Sequence, residues 1–224
     1  MKPLPKDRLP PLRENIRAFY GEMAKEHHRY RSWEHCFGYF QARTHKSLKQ
    51  DRKTAALHLG FYLASWGMYP PSGFLLQHTF TIQLAVIDAL ASPALSPLWR
   101  AEFGAGEADD ELTPIVLNAK NAVRQAYEPF AASDTLASKV LLRTLGCLPA
   151  CDRFFIGGFK VTGLSYSRIN KNFIHRLLEF THGNLPSLRA EQTRIESHSG
   201  VHYPLMKLVD MYFWQLGYGR GNHP

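Results

Sequence analysis

The sequence predicts an all-α protein, a globular multi-helix bundle of roughly eight to ten helices with room for two lobes. Apolar residues recur at helical spacing along most of the 224 residues, and the alternation of a half-buried strand is nearly absent. Hydrophobic residues make up 45% of the chain and charged residues 21%, the balance of a globular fold with a sizeable core. Proline, glycine and capping residues punctuate the apolar runs where helices would start and stop.

Taken in order, the Pro-rich start through Pro11 reads as an extended arm. Residues 12–28 read as a first helix with Ile16, Phe19, Tyr20 and Met23 on one face. Ser32 is an N-cap for a second helix to about Arg43, with Trp33, Cys36, Phe37 and Phe40 facing inward. Residues 45–53 read as a basic loop. Residues 54–68 are apolar nearly all round, which predicts a buried helix, with Gly60 and Gly67 allowing a neighbour to approach closely. Tyr69-Pro70-Pro71 ends it, and a further helix is expected over 72–91. Pro93 and Pro97 bracket an irregular connection.

The small, acidic segment 104–111 is the clearest linker or hinge, so a lobe boundary within a single helical domain, 1–224, is placed there. The acids near Glu111 suit the start of a helix running to about Phe130. Ser133 or Asp134 caps the next helix and Gly146 ends it. A short helix over 151–159, closed by Gly157 and Gly158, is followed by a basic helix over 167–182 and a weaker one over 185–197. Pro204 opens the last, with Leu205, Leu208, Val209, Tyr212, Phe213 and Leu216 at helical spacing.

Lysine and arginine number 27 against 19 acids, a formal net charge of +8. That excess suits DNA or RNA, an acidic protein or an anionic ligand, and equally a solvated surface. The basic groups are Arg29 and Arg31 beside His27 and His28, then Lys46, Lys49, Arg52 and Lys53, then Arg168, Lys171 and Arg176. Tyr30 and Trp33, interleaved with the first group, could stack on exposed bases. The first residues lack the apolar core of a secretion signal, and the apolar run 55–68 is too short to span a bilayer. No membrane partner is expected. Three cysteines do not make a disulfide framework, so a cytoplasmic location is expected. Cys147 and Cys151 read as small apolar fillers. No HExxH occurs among the 11 histidines, the pair His198 and His202 falls in a loop, and neither a metal nor a cofactor is expected.

Two charged residues stand out. Lys139 lies inside an apolar helical run, Ser138-Lys139-Val140-Leu141-Leu142. A desolvated lysine has a lowered pKa and can act as an amine nucleophile; a lysine that lays its stem over the core and keeps its head in water would read the same way. Asp152, after Leu148-Pro149-Ala150-Cys151, suits a helix cap, a carboxylate aimed into a cleft, or both.

A lysine helix, a proline, an aspartate and a short aromatic helix together resemble the catalytic region of the helix-hairpin-helix DNA glycosylases, over residues 134–159. Ala131-Ala132-Ser133-Asp134-Thr135 stands where that family carries a Gly-x-Gly hairpin, and no iron–sulfur cysteine set is present. The resemblance implies that Lys139 is the amine that attacks the sugar carbon and Asp152 the carboxylate that assists base departure. It also implies a flipped base in an aromatic-lined pocket, for which Trp33, Tyr62, Trp66 and Tyr69 are the candidates, with His35, beside Glu34, added to the substrate-binding set. The alternative is a non-catalytic helical interaction or regulatory protein with a basic face. The two differ in whether Lys139 and Asp152 converge on one open cleft.

Overall fold

The computed structural model describes residues 11–23, 25 and 27–221, and the expected extended arm through Pro11 lies almost wholly outside them. The described residues form eleven α-helices and four short 3-10 turns, with no strand among them, so the all-α class holds and the helix count exceeds the expected range. The helices are α1 (Leu12–Met23), α2 (Ser32–Gln41), α3 (His45–Gln50), α4 (Arg52–Ser65), α5 (Leu84–Leu90) and α6 (Asp109–Gln125). They continue with α7 (Asp134–Thr144), α8 (Arg153–Val161), α9 (Lys171–Gly183), α10 (Leu185–Ser199) and α11 (Leu205–Gly221). No single helix among the described residues is long and apolar enough to cross a membrane.

The C-terminal helix α11 is the centre of the packing. It lies against α8, α1 and α10, while α2 packs on α4 and α7, and α6 on α5, α7 and α9. Every residue from Leu205 to Trp214 is buried, so α11 is enclosed on all sides rather than presenting one apolar stripe. That enclosure includes Lys207 and Asp210. The α8–α11 contact is backbone against backbone. A Cβ at Gly158 would land on the Phe213 carbonyl, and one at Gly217 on the Phe154 carbonyl. Gly158 therefore does not close α8, as its position suggested, but sits inside a helix that runs on to Val161.

Several boundaries differ from expectation. The first helix ends at Met23, ahead of a 3-10 turn at Arg29–Arg31, and His27 takes a left-handed backbone with φ 59°. The basic loop 45–53 is two helices. Thr44 and Ser47 form a reciprocal capping box that starts α3, and Asp51 separates α3 from α4. The expected helix over 72–91 is instead two 3-10 turns, Phe74–Gln77 and Phe80–Gln83, leading into α5. There His78 turns extended, and the Thr79 hydroxyl accepts from the Thr81 N–H, so side chains compete with the helical ladder.

The acidic segment 104–111 is tied down. Asp109, 4% exposed, accepts from the Gly104 N–H at 2.8 Å and the Gly106 N–H at 2.9 Å, and meets His182 Nε2 of α9 at 2.7 Å.

Candidate functional site

Lys139 and Asp152 reach one place because the chain between them is bolted to its neighbours. The Ser133 hydroxyl accepts from the Leu136 N–H and starts α7. Gly146, at φ 66°, ends it against Pro204, leaving no room for a Cβ. Three side chains then hold the link to α8. Thr135 Oγ1 donates to the Cys151 carbonyl at 2.8 Å, the Cys151 N–H donates to Ser138 Oγ at 2.9 Å, and the Ala150 N–H donates to Asp210 Oδ1 at 3.0 Å. Asp152 begins α8 by accepting the N–H groups of Phe154 and Phe155 on Oδ1. Its other oxygen, Oδ2, lies 3.6 Å from Lys139 Nζ.

Lys139 does not snorkel. It is 5% exposed, and its ammonium donates to the Trp66 carbonyl at 3.1 Å. Burial pushes this amine below the usual lysine range, and the carboxylates of Asp152 and Asp210 offset part of that shift. The pair sits in a hollow of about 400 Å³ lined by Arg29, Trp66, Lys139, Asp152, Arg153, Phe154 and Trp214, among others. Phe154 and Trp214 are aromatic members of the lining and meet edge to face at 5.0 Å, and Trp214 is stacked on Tyr218 at 4.7 Å. Trp66 also lines the hollow, stacked on Tyr30 at 4.7 Å, and the Lys139 ammonium lies 5.8 Å from its ring centre.

Of the other expected substrate residues, only Trp66 lines this hollow. Trp33 is fully buried, stacked on Phe37 and tilted against Tyr203. Tyr62 is buried over the Arg143 guanidinium at 3.5 Å. Tyr69 accepts from Gln83 Nε2 at 3.3 Å, away from the lining. His35 lines a neighbouring hollow. Trp33 and Tyr62 fall in the core because helices packed on two sides bury aromatics at helical spacing.

Among the basic residues, Arg29 lies at the hollow and Arg31 at the neighbouring one, whereas Tyr30 is buried and stacked on Phe19 and Trp66, so it offers no free face to a base. Lys46, Lys49 and Lys53 are exposed and line neither hollow. Arg52 is paired with Asp88. Arg168 and Lys171 line a separate hollow of about 500 Å³ with Lys120 and Arg124 around Asp134. Arg176 donates to the Ser165 carbonyl at 3.1 Å.

Sequence reasoning missed the charges beneath the site. Lys207 Nζ and Asp210 Oδ2 pair at 3.0 Å inside the core. The Lys207 ammonium lies 4.7 Å from the Phe19 ring centre and 5.5 Å from those of Trp33 and Trp66. Burial lowers the Lys207 pKa and raises that of Asp210, and their pairing opposes both shifts. Arg143, one turn beyond Lys139, is fully buried, held down to about 10 by burial, and donates to the Ser32 carbonyl at 3.1 Å. The readable signal was the i, i+3 placing of Lys207 and Asp210 inside an apolar run. Cys36, Cys147 and Cys151 are free and buried, and burial pushes Cys36 and Cys147 to about 12. Among the described residues no group of three or more His, Cys, Asp or Glu is placed to hold a metal ion.

No family model matches the chain, and neither the curated proteins nor the solved structures contain a match to it.

Proposed function

We propose that the chain acts on nucleic acid as a glycosylase- or lyase-like enzyme, with the Lys139–Asp152 hollow receiving a nucleotide turned out of the stack. The observation that carries this reading is a buried amine and a carboxylate 3.6 Å apart in a hollow with aromatic sides and two guanidinium groups in its lining. Trp66 and Phe154, both half-buried in the lining, offer aromatic surface to a planar base, and Arg29 and Arg153 offer charge to its phosphates. Asp152, held by its cap, opposes positive charge developing on the sugar as the base departs.

At an abasic site the neutral Lys139 amine adds to the C1′ aldehyde. The carbinolamine loses water, and the resulting iminium is reduced by borohydride to a stable secondary amine. Depression of the Lys139 pKa raises the fraction of neutral amine available for that addition.

The test is borohydride trapping on DNA with an abasic site. A covalent adduct that forms with the parent and is absent in Lys139→Ala is the expected result. If the parent forms no adduct while nucleic-acid binding stays salt-dependent, the catalytic reading fails and a non-catalytic binding protein remains. Affinity that ignores salt removes nucleic acid as the partner and leaves an acidic or neutral protein. A reducing, cytoplasmic setting is part of the proposal, supported by three buried, unpaired thiols.

A further inference from the structure

Beside the Lys139–Asp152 hollow lies a second one of about 440 Å³ whose lining includes His28, Arg29, Arg31, His35, Phe61 and Ser65. Arg29 belongs to both linings, so the two hollows are neighbours across the end of α4. The second lining contains no carboxylate among the described residues. Glu34 Oε2 lies 3.6 Å from Arg31 Nε, while its other oxygen accepts from the Tyr203 hydroxyl at 2.8 Å, and the Arg31 side chain remains 47% exposed beside this pairing. His28 accepts the Tyr30 N–H on Nδ1, so Nε2 is the ring nitrogen that can donate to a ligand. Phe61 is 68% exposed, and Leu57, one turn earlier on α4, is 50% exposed. A large aromatic ring left open beside guanidinium and imidazole groups fits a base above and a phosphate beside it.

We infer that this second hollow holds the nucleotide next to the one in the Lys139–Asp152 hollow. Its phosphodiester lies between Arg29 and Arg31, and its base stacks on Phe61. The inference rests on the reading that the substrate is nucleic acid and adds a prediction of its form. Stacking on Phe61 requires an unpaired base, so the preferred ligand is single-stranded. Continuity through Arg29 is what favours a nucleic-acid chain over an acidic peptide, because one strand can occupy both hollows.

Binding of labelled single-stranded DNA, single-stranded RNA and duplex DNA, measured by fluorescence anisotropy in a Lys139→Ala background, separates this idea from catalysis. Phe61→Ala is expected to weaken single-strand binding by roughly five- to 150-fold, the range for losing one base–aromatic stack. That loss disappears when a scan of single abasic positions removes the base that stacks there. Arg31→Gln is expected to lower the salt dependence by roughly one phosphate contact. The exposure of Phe61 makes its variant safe for folding, and circular dichroism verifies both. The DNA and RNA arms establish which sugar is accepted. Unchanged single-strand affinity in both variants overturns the inference, as does an acidic polypeptide that competes through the same two residues. Trapping that succeeds without any dependence on Phe61 overturns it while leaving the catalytic reading intact.

Discussion

One oxygen of Asp152 accepts the Phe154 and Phe155 N–H groups, and the other faces the Lys139 ammonium. The two tasks can be separated. Asp152→Asn keeps an amide oxygen for the cap and removes the negative charge beside the amine. The Lys139 pKa should then fall further, because a carboxylate that holds it up is gone. We expect Asp152→Asn to retain trapping on a preformed abasic site, with the pH dependence displaced to lower pH, and to lose base removal. Asp152→Ala loses the cap as well, about 0.5–2 kcal/mol of stability. Urea unfolding of the two variants distinguishes the roles, and equal loss in both would deny the cap its part. Linkage gives a second residue-scale expectation. A lysine whose folded pKa lies below its ordinary 10.5 is more protonated unfolded than folded in the window between the two values. Stability therefore rises with pH through that window, and Lys139→Met should flatten the rise. Lys207, lowered in the same way, should keep part of it. Breaking the buried pair by Lys207→Met alone should cost about 3–5 kcal/mol, because it strands the Asp210 carboxylate in the core. Asp210→Asn in that background should restore part of the loss, since an amide oxygen can still accept from the Ala150 N–H.

At the scale of elements, the site is a product of α7, the turn at 145–152 and α8, locked onto α11. Gly158 and Gly217 let α8 and α11 meet at the backbone. Gly158→Ala or Gly217→Ala forces those backbones apart, at a cost of about 1–3 kcal/mol or more. Because Asp152 starts α8, the displacement should also move its carboxylate from Lys139. Both variants are expected to lower the unfolding midpoint and to reduce trapping, whereas Gly157→Ala, whose added methyl meets only the Gly217 Cα at an ordinary contact distance of 3.8 Å, should do neither strongly. The sequence made part of this legible. The helix carrying Lys139, its Ser133 cap, its Gly146 stop and the aspartate past the proline are all local signals. What it did not reveal was tertiary. Nothing local tells a glycine that closes a helix from one that admits a neighbour, or an aromatic such as Trp66 that lines a hollow from one such as Trp33 that fills the core. Likewise, the charge of segment 45–53 suggests a loop, whereas the reciprocal Thr44–Ser47 hydrogen bonds start a helix there.

For the whole molecule, the periodicity of apolar residues was sufficient for the all-α class, because that pattern is local, whereas the question of lobes depends on contacts distant in sequence. Buried apolar residues from Ile16 to Leu216 form one connected cluster. The segment 104–111, small and acidic enough to suggest a hinge, is fastened by Asp109 to the N–H groups of Gly104 and Gly106 and to His182. Gly104 itself packs where a Cβ would meet Met206 of α11 and Thr181 of α9. A cluster shared by helices before and after that segment should unfold cooperatively. We therefore expect urea unfolding to give a single transition, with tryptophan fluorescence and helical circular dichroism coinciding. Asp109→Ala removes the acceptor for two backbone N–H groups and should shift the midpoint to lower denaturant, at roughly 1–3 kcal/mol for each donor left unsatisfied in a buried place. The transition should stay single, since loosening one tie does not divide the core. Two resolved transitions in the parent, or a split that first appears in Asp109→Ala, would instead mean that the helices before and after the segment form separate folding units and that this turn is the hinge between them.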